Sequence, residues 1–150
     1  MTDYRTHGDD KNTTHVEEAA CQPLTIVNLW AQASAVDQIY KNFVLLNVNN
    51  HCVRMAVMQG EYRWHQHPRS DECFLVIEGE LEIDIKADRK DANQSPEQPE
   101  PQTVRLKPGQ AFTIPAGTIH RTRARTRTVN LCFEDRNAYT DVVFEKMEQE

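Results

Sequence analysis

Three histidines and one glutamate in this sequence have the chemistry of ligands for a divalent transition metal. His65 and His67 are two residues apart, so on an extended strand both imidazoles point to the same side. Glu72 follows a turn that contains Pro68, and His120 comes from a distant part of the chain. Imidazole nitrogens and a carboxylate oxygen together suit iron, zinc, manganese, nickel or copper better than calcium or magnesium. These residue types therefore predict one bound divalent metal ion.

Strand and turn signals surround both parts of this candidate site. The apolar run Cys73–Ile77 is followed by Gly79, and the run Ala111–Ile114 ends at Pro115. A single histidine is more often an ordinary surface or core residue than a ligand, and an H-x-H pair also occurs by chance. The repeated order of strand, turn and polar side chain favours a functional site over that alternative.

The two blocks together resemble the two motifs of the cupin superfamily, in the form found in small single-domain (cupin_2-like) members. The first motif is H-x-H, four residues, Glu, six residues and Gly, and it is matched by His65, His67, Glu72 and Gly79. The second is Gly, five residues, Pro-x-Gly, two residues and His, and it is matched by Gly109, Pro115, Gly117 and His120. The resemblance covers about residues 43–134. It implies that the metal ligands are His65, His67, Glu72 and His120.

The chain departs from the cupin pattern at three places. Four residues instead of five separate Gly60 from His65, and Ala124 stands where the second motif has asparagine. The stretch between Gly79 and Gly109 is long for a small cupin. None of these changes removes a ligand, but they weaken the transfer of any particular activity from the family.

The order of apolar and turn residues predicts an all-β fold. From Phe43 onward, short apolar segments alternate with turn residues, which is typical of a sandwich or barrel. The resemblance implies a single-domain cupin jelly-roll barrel with a short N-terminal helical segment, which we place at Ser34–Tyr40 with Ser34 as its cap. We predict a flexible segment over 1–22 and one cupin β-barrel domain over 23–150, with its core at about 43–134.

Residues 87–102 (ADRKDANQSPEQPEPQ) form the one low-complexity stretch of the chain. Their three prolines and scarcity of apolar side chains disfavour regular structure. We interpret them as a long loop between neighbouring strands. A surface excursion is favoured over a lid above the site, because loops accept insertions at small cost.

Strand alternation also predicts which side chains share the barrel interior with the ligands. The predicted substrate pocket consists of Arg63, Phe74, Val76 and Thr122. We expect a mainly apolar cavity with a few polar groups near its mouth, as in most small-molecule sites. An inward Arg63 could hold a carboxylate, and the alternative is an exposed residue at the barrel rim.

Two segments carry opposite charges at alternating positions. The acidic residues are Glu80, Glu82 and Asp84, and the basic residues are Arg121, Arg123, Arg125 and Arg127. The arginines oppose His120 in parity, so they face outward if His120 faces the interior. We predict that the two sets pair across neighbouring strands, and we favour this over an anion-binding patch.

Length and composition restrict the class of protein. A chain of 150 residues can bury one substantial core, and a net charge of −6 disfavours nucleic acid as a partner. No apolar run approaches the ~20 residues that span a bilayer, and the N-terminus lacks the layout of a secretory signal. We therefore expect a cytoplasmic protein without a membrane partner. The four cysteines show no C-x-x-C spacing, so we expect reduced thiols.

Two functions agree with the sequence. The first is a metal-dependent enzyme of the dioxygenase or isomerase type that acts on a small oxygen-rich molecule. The alternative is a non-catalytic metal cupin that binds a small ligand for sensing, storage or assembly. The complete ligand set favours the enzyme. The resemblance further implies a homodimer, with the segments Leu24–Trp30 and Phe43–Val48 as candidate interfaces. The alternative for both segments is that they cover the barrel of their own subunit.

Overall fold

The computed structural model describes residues 17–86 and 102–143, and within them the chain is built almost entirely of β-strands. This confirms the all-β prediction. The elements, in chain order, are α1 Leu29–Ser34, β1 Tyr40–Val48, β2 His51–Glu61, β3 His65–Gln66, β4 Glu72–Glu78, β5 Leu81–Ile85, β6 Gln102–Leu106, β7 Ala111–Ile114, β8 His120–Asp135 and β9 Asp141–Val142.

Strand β8 organises the sheet because it pairs along both of its edges. Its 16 residues run antiparallel to β2 and then to β3 on one edge. On the other edge they run antiparallel to β5 and to β4. The remaining strands each pair with one of these neighbours: β1 with β2, β6 with β5, β7 with β4 and β9 with β3. The sheet consequently curls into a half-barrel.

The curled sheet separates two hydrophobic clusters. The inner cluster fills the barrel and consists of Met58, Phe74, Val76, Leu81, Ile83, Leu106, Ile114, Ala124 and Cys132. The outer cluster lies under α1 and consists of Ala33, Val36, Leu45, Met55, Val57, Val129 and Leu131. Strand β8 contributes to both clusters through alternate residues, as a strand buried on two faces must. Both faces of the central strand are therefore fixed by packing.

The helix lies earlier in the chain than predicted. It spans Leu29–Ser34 and begins after Asn28, whose side chain accepts a hydrogen bond from the N–H of Ala31 at 2.9 Å. The predicted helix over Ser34–Tyr40 is wrong, because Ser34 ends the helix instead of capping it. Asn28 is an equally good cap chemically, and burial of Ala33 in the outer cluster selects it.

The packed structure begins before the predicted boundary at residue 22. The N–H groups of Ala20 and Cys21 donate to the carbonyls of Val44 and Leu45 in β1. Glu17 forms an ion pair with Arg54 at 3.0 Å. Residues 17–22 are therefore hydrogen-bonded to the sheet. The rest of the predicted flexible segment, 1–16, and nearly all of the predicted loop, 87–101, lie outside the described residues.

Two strand predictions differ from the structure. The segment 62–67 forms only the two-residue strand β3, since residues 62–64 interrupt the regular strand, although the N–H of Tyr62 still donates to the carbonyl of Thr122. The segments 119–126 and 128–134, predicted as two strands, form the single strand β8. The second difference is explained by a bulge in β8, opposite Gln59. Residues 125–127 lose their register with β2 there, but their backbone stays extended, so the strand continues through them.

The predicted pairing of acidic and arginine side chains is confirmed between β5 and β8. Arg121 Nε and Arg123 Nε both lie 2.7 Å from Asp84 Oδ2. Arg123 and Arg125 also contact Glu82, at 2.9 and 3.1 Å. The carboxylates of Glu82 and Asp84 are buried beneath the guanidinium groups on the outer face of the sheet. They neutralise the positive charge of the arginines there.

Two members of the predicted sets are exceptions: among the described residues Glu80 pairs with no arginine, and Arg127 pairs with no carboxylate. Its guanidinium donates to the carbonyl of Ala33 at 2.7 Å and to that of Val36 at 3.2 Å. Cations stabilise the C-terminus of a helix, where carbonyls lack partners. Arg127 therefore attaches α1 to the bulge of β8.

The thiol and membrane expectations can be compared with the structure directly. Cys21, Cys52, Cys73 and Cys132 are all free thiols, as predicted. Among residues 17–86 and 102–143, no helix has the length and apolar character needed to cross a membrane.

Candidate metal centre

The structure brings the four predicted ligands together inside the barrel. His65, His67, Glu72 and His120 each offer one ligand atom, and these atoms all lie within 4.8 Å of one another. His65 and His120 are cross-strand partners between β3 and β8, while Glu72 begins β4. All four side chains are buried, His120 completely. Residues separated by up to 55 positions in the chain thus converge on one buried point.

Backbone carbonyls orient the three imidazole rings from behind. The Nδ1–H groups of His65 and His120 donate to the carbonyls two residues earlier, those of Arg63 and Thr118, at 2.7 and 2.8 Å. His67 Nδ1 lies 3.3 Å from the carbonyl of Tyr139. When Nδ1 carries the proton, Nε2 presents its lone pair, which is the form that binds a metal.

The electrostatics of the cluster also suit a cation. Burial, together with the charges of His120 and His67, lowers the pKa of His65 to about 3, which keeps this ring neutral. Burial alone would raise the pKa of Glu72, but the close approach of His120 and His67 holds it below its ordinary value. The cluster therefore combines a neutral imidazole with an ionised carboxylate at neutral pH.

One buried nitrogen in the cluster lacks a hydrogen bond. His67 Nε2 lies 3.1 Å from Glu72 Oε2, but it has no hydrogen-bond partner among the described residues. A buried polar atom without a partner carries a desolvation cost. A metal ion between His67 and Glu72 would satisfy this atom, so the residues present fit the predicted metal.

A second carboxyl group lies directly behind Glu72. Glu134, near the C-terminal end of β8, is 7% exposed, and the pairing of Phe133 with Cys73 places it beside Glu72. Burial and the charge of Glu72 raise the pKa of Glu134 to about 7. Two buried carboxyl groups in contact are compatible when one proton is held between them.

The predicted pocket residues divide into two groups. Phe74, Val76 and Thr122 are buried on the inner face, and the ring of Phe74 lies 6.1 Å from that of His120. Arg63 is exposed, so its side chain is not in the barrel interior. The parity argument fails at Arg63 because the chain around it is not part of a strand. Its backbone carbonyl, however, holds His65.

Sequence reasoning missed three residues of this site. The ring of Tyr62 lies 4.9 Å from that of His65 in an edge contact. Tyr139 holds His67 from 72 positions away, and nothing in the sequence signals that contact. Glu134 could have been found, because it shares the even parity of His120 along β8.

Two surface cavities lie apart from the ligand atoms. One has a volume of about 450 Å³ and is lined by the bulge residues, including Gln59, Gly60 and Arg125. The other, of about 280 Å³, is lined by Cys73, Phe133 and neighbouring residues. Neither cavity is lined by any of the four cluster residues.

Comparisons with known proteins agree with this geometry. Residues 53–133 match the family model described as "Cupin domain". A protein of Bacillus subtilis (strain 168), "Uncharacterized protein YdbB", is 46% identical over 119 residues, which cover 79% of this chain and 94% of that protein.

Solved structures show the same fold. A cupin-2 domain containing protein from Shewanella frigidimarina has a TM-score of 0.60 and 26% identity, covering 73% of this chain and 94% of that chain. Hydroquinone 1,2-dioxygenase from Sphingomonas sp. TTNP3 has a TM-score of 0.56 and 20% identity, covering 72% and 71%. From the family match, the extent of the identity and the converging histidines, the chain belongs to the cupin family.

Proposed function

We propose that this cupin is a metal-dependent enzyme, of the dioxygenase or isomerase type, that acts on a small oxygen-rich molecule. The observation that carries the proposal is the common orientation of three buried imidazoles. Each Nδ1 faces a backbone carbonyl, and the Nε2 atoms of His67 and His120 lie 3.1 and 3.3 Å from the carboxylate of Glu72. A set of ligands fixed in this way holds a metal without rearrangement.

The side chains next to the ligands provide the surroundings for a substrate. Phe74 and Val76 are buried apolar neighbours on the strand that carries Glu72, and they keep water away from the ligands. Tyr62, beside His65, places an aromatic ring at the edge of the cluster. A bound divalent metal would supply Lewis-acid chemistry, or electron transfer if it is redox-active. Fold alone does not choose between these reactions.

A non-catalytic cupin that binds a small ligand is the second candidate. The burial of all four cluster residues favours it, because little of their surface is exposed to a substrate. Turnover requires a substrate to reach the ligands, whereas retention of a metal does not.

Metal analysis and oxygen uptake distinguish the candidates. Protein purified without added metal is analysed for metal and then assayed on diols, keto acids and sugars, under air and under nitrogen. Bound iron with oxygen uptake selects the oxygenase, and product formed under nitrogen selects the isomerase. A bound metal without product selects the binding protein.

A ligand variant provides the control. Glu72→Ala is expected to weaken metal binding by more than about 100-fold, since even residues behind ligands cost 10–100-fold. Glu78→Ala, an exposed glutamate at the end of the same strand, is expected to bind metal as the parent does. Equal metal affinity in the Glu72→Ala variant would contradict the proposed centre.

We also propose that the protein forms a homodimer through the segment Leu24–Trp30. Leu24 and Ile26 are almost fully exposed, and Trp30 is 61% exposed. Leu24 also has a φ of 59°, an unfavourable conformation for a leucine. Phe43 and Leu46 of the other candidate interface pack against the outer cluster, as do Val27 and Leu29, so the exposed apolar surface of Leu24–Trp30 lies at Leu24, Ile26 and Trp30. The segment Leu24–Trp30 is thus the better interface.

A further inference from the structure

We propose that Glu134 is a positioning residue for Glu72, and that Arg54 holds Glu134 in the required place. The inference rests on the proposed function, because it takes Glu72 as a metal ligand. Glu134 is buried and follows Phe133, the cross-strand partner of Cys73, so the register of β4 with β8 places it beside Glu72. It therefore acts on the centre through a ligand.

Arg54 connects this carboxyl group to three parts of the chain. Arg54 Nε lies 2.7 Å from Glu134 Oε1, inside the end of the barrel. Its other nitrogens reach Asn42 Oδ1 of β1 at 3.2 Å and Glu17 Oε2 at 3.0 Å. A guanidinium with a fixed fork geometry holds several acceptors at set distances. The position of Glu134 is consequently determined by β1, β2 and the segment before α1.

An ion pair with Arg54 does not by itself explain Glu134. The second oxygen, Oε2, is buried and meets no hydrogen-bond donor. A salt bridge at this depth offers little net stability over an apolar pair, because both charges lose their hydration. Positioning of the Glu72 carboxylate would explain why a second carboxyl group, that of Glu134, lies at this position.

Glu72 needs such support because both of its carboxylate oxygens face histidines that are themselves candidate metal ligands. Its Oε1 lies 3.3 Å from His120 Nε2, and its Oε2 lies 3.1 Å from His67 Nε2. A metal held by those nitrogens would replace both contacts from the imidazoles to Glu72. Glu134, the buried neighbour of Glu72 across β4 and β8, would then fix the orientation of the ligand carboxylate. Residues behind a metal ligand commonly contribute 10–100-fold to metal affinity in this way.

Metal affinity in a set of variants tests this role. Cobalt(II) and zinc(II) are titrated into metal-free protein against a competing chelator, and the visible spectrum of the cobalt form reports the coordination. Glu134→Ala is expected to lose about 10–100-fold in affinity. Glu134→Gln is expected to stay within about threefold, since its amide keeps an acceptor for Arg54 and offers an N–H to Glu72.

Two further variants separate positioning from folding. The double variant Arg54→Met with Glu134→Leu removes both charges together, so it leaves no unpaired buried ion. It is expected to fold and to show the same loss of affinity as Glu134→Ala. Glu82→Gln changes another buried carboxylate that is paired with arginine but lies on the outer face. It is expected to leave both affinity and the cobalt spectrum unchanged.

The outcomes are distinct. A loss in Glu134→Ala and in the double variant, with Glu134→Gln close to the parent, supports the proposal. Parent-like affinity in the double variant overturns it, and so does an equal loss in Glu134→Gln or Glu82→Gln. Failure of the parent protein to bind either metal overturns the proposed function as well, whereas the preceding outcomes leave that function in place.

Discussion

At the scale of single residues, the three histidines are held by main-chain atoms. The carbonyls of Arg63, Thr118 and Tyr139 accept from the rings, so the side chains at these positions are free to vary without losing the contact. This explains how an exposed arginine can lie next to the centre and still contribute to it. Ring orientation depends on the backbone path, and the backbone path depends on the strands.

Asp84 provides a prediction about pH. Burial acts to raise the pKa of Asp84, but hydrogen bonds from Arg123, Arg121 and Thr103 lower it from 3.8 to about 2. A carboxyl group with a lowered pKa stabilises the fold above its unfolded pKa, and this contribution disappears as the pH falls from about 4 to 2. Asp84→Asn is therefore expected to cost about 2 kcal/mol at pH 7.

Urea unfolding of the two proteins between pH 7 and pH 3 measures this effect. The difference in free energy of unfolding should shrink as the pH falls below 4, because the unfolded parent then binds a proton at Asp84 that the folded parent does not yet bind. Glu78→Gln, at an exposed carboxylate of the neighbouring strand β4, is the control and should change stability little. A difference that is constant across this range would contradict the prediction.

The four ligand candidates could be predicted because their signals are local. The spacing from His65 to Glu72 and the turn residues before His120 are visible in the sequence itself. Strand alternation likewise placed Phe74, the acidic side chains and the arginines on their observed faces. Alternation failed for Arg63, where the strand is interrupted, and long-range partners such as Tyr139 and Arg54 had no local signal.

At the scale of elements, the helix shows the limit of capping rules. Asn28 and Ser34 are both suitable N-caps, and the two choices differ by six residues. What decides between them is tertiary: Ala33 is buried on the sheet, and Arg127 binds the carbonyls at the helix end. A helix of six residues has little stability of its own, so its position is set by the surface on which it packs.

The turn between β4 and β5 provides a prediction at this scale. Gly79 has a φ of 81°, and a Cβ there would lie 2.6 Å from the carbonyl oxygen of Arg127 and 2.5 Å from Thr128 Oγ1. Gly79→Ala must therefore accept both the left-handed conformation and a clash with backbone. We expect it to reduce the free energy of unfolding by at least about 3 kcal/mol, of which the conformation accounts for 1–2.

Gly109 gives a matched control for the same substitution. Its φ is 84°, but a Cβ at this position has nothing within 4 Å. Gly109→Ala should show only the conformational cost of about 1–2 kcal/mol. Denaturant unfolding of the two variants separates the conformational cost from the cost of the clash. Equal losses in the free energy of unfolding would show that strand β8 moves to relieve the clash.

At the scale of the whole molecule, the proposed homodimer predicts a change in mass. Leu24→Ser with Ile26→Ser removes apolar surface that is almost fully exposed, so the stability of a monomer should change little. Sizing with light scattering should show a dimer for the parent protein and a monomer for the variant. The control is Val48→Ser, at an exposed apolar residue in the other candidate segment.

A monomeric parent protein would contradict the dimer prediction, and so would a dimeric double variant. If Val48→Ser dissociates the dimer instead, the interface lies at the end of β1. Circular dichroism of each variant distinguishes dissociation from unfolding, since a loss of the β signal is expected only in the second case.

The bulge in β8 restricts which insertions and deletions this strand can accept. Between Thr128 and Ala124 the strand advances four residues, while its partner advances two, from Met58 to Gly60. The surplus is even, so His120 and Glu134 stay on the same side of the sheet. A deletion of one residue between them would turn one of the two groups outward. Over evolutionary time, insertions and deletions here are compatible with an intact centre only in pairs.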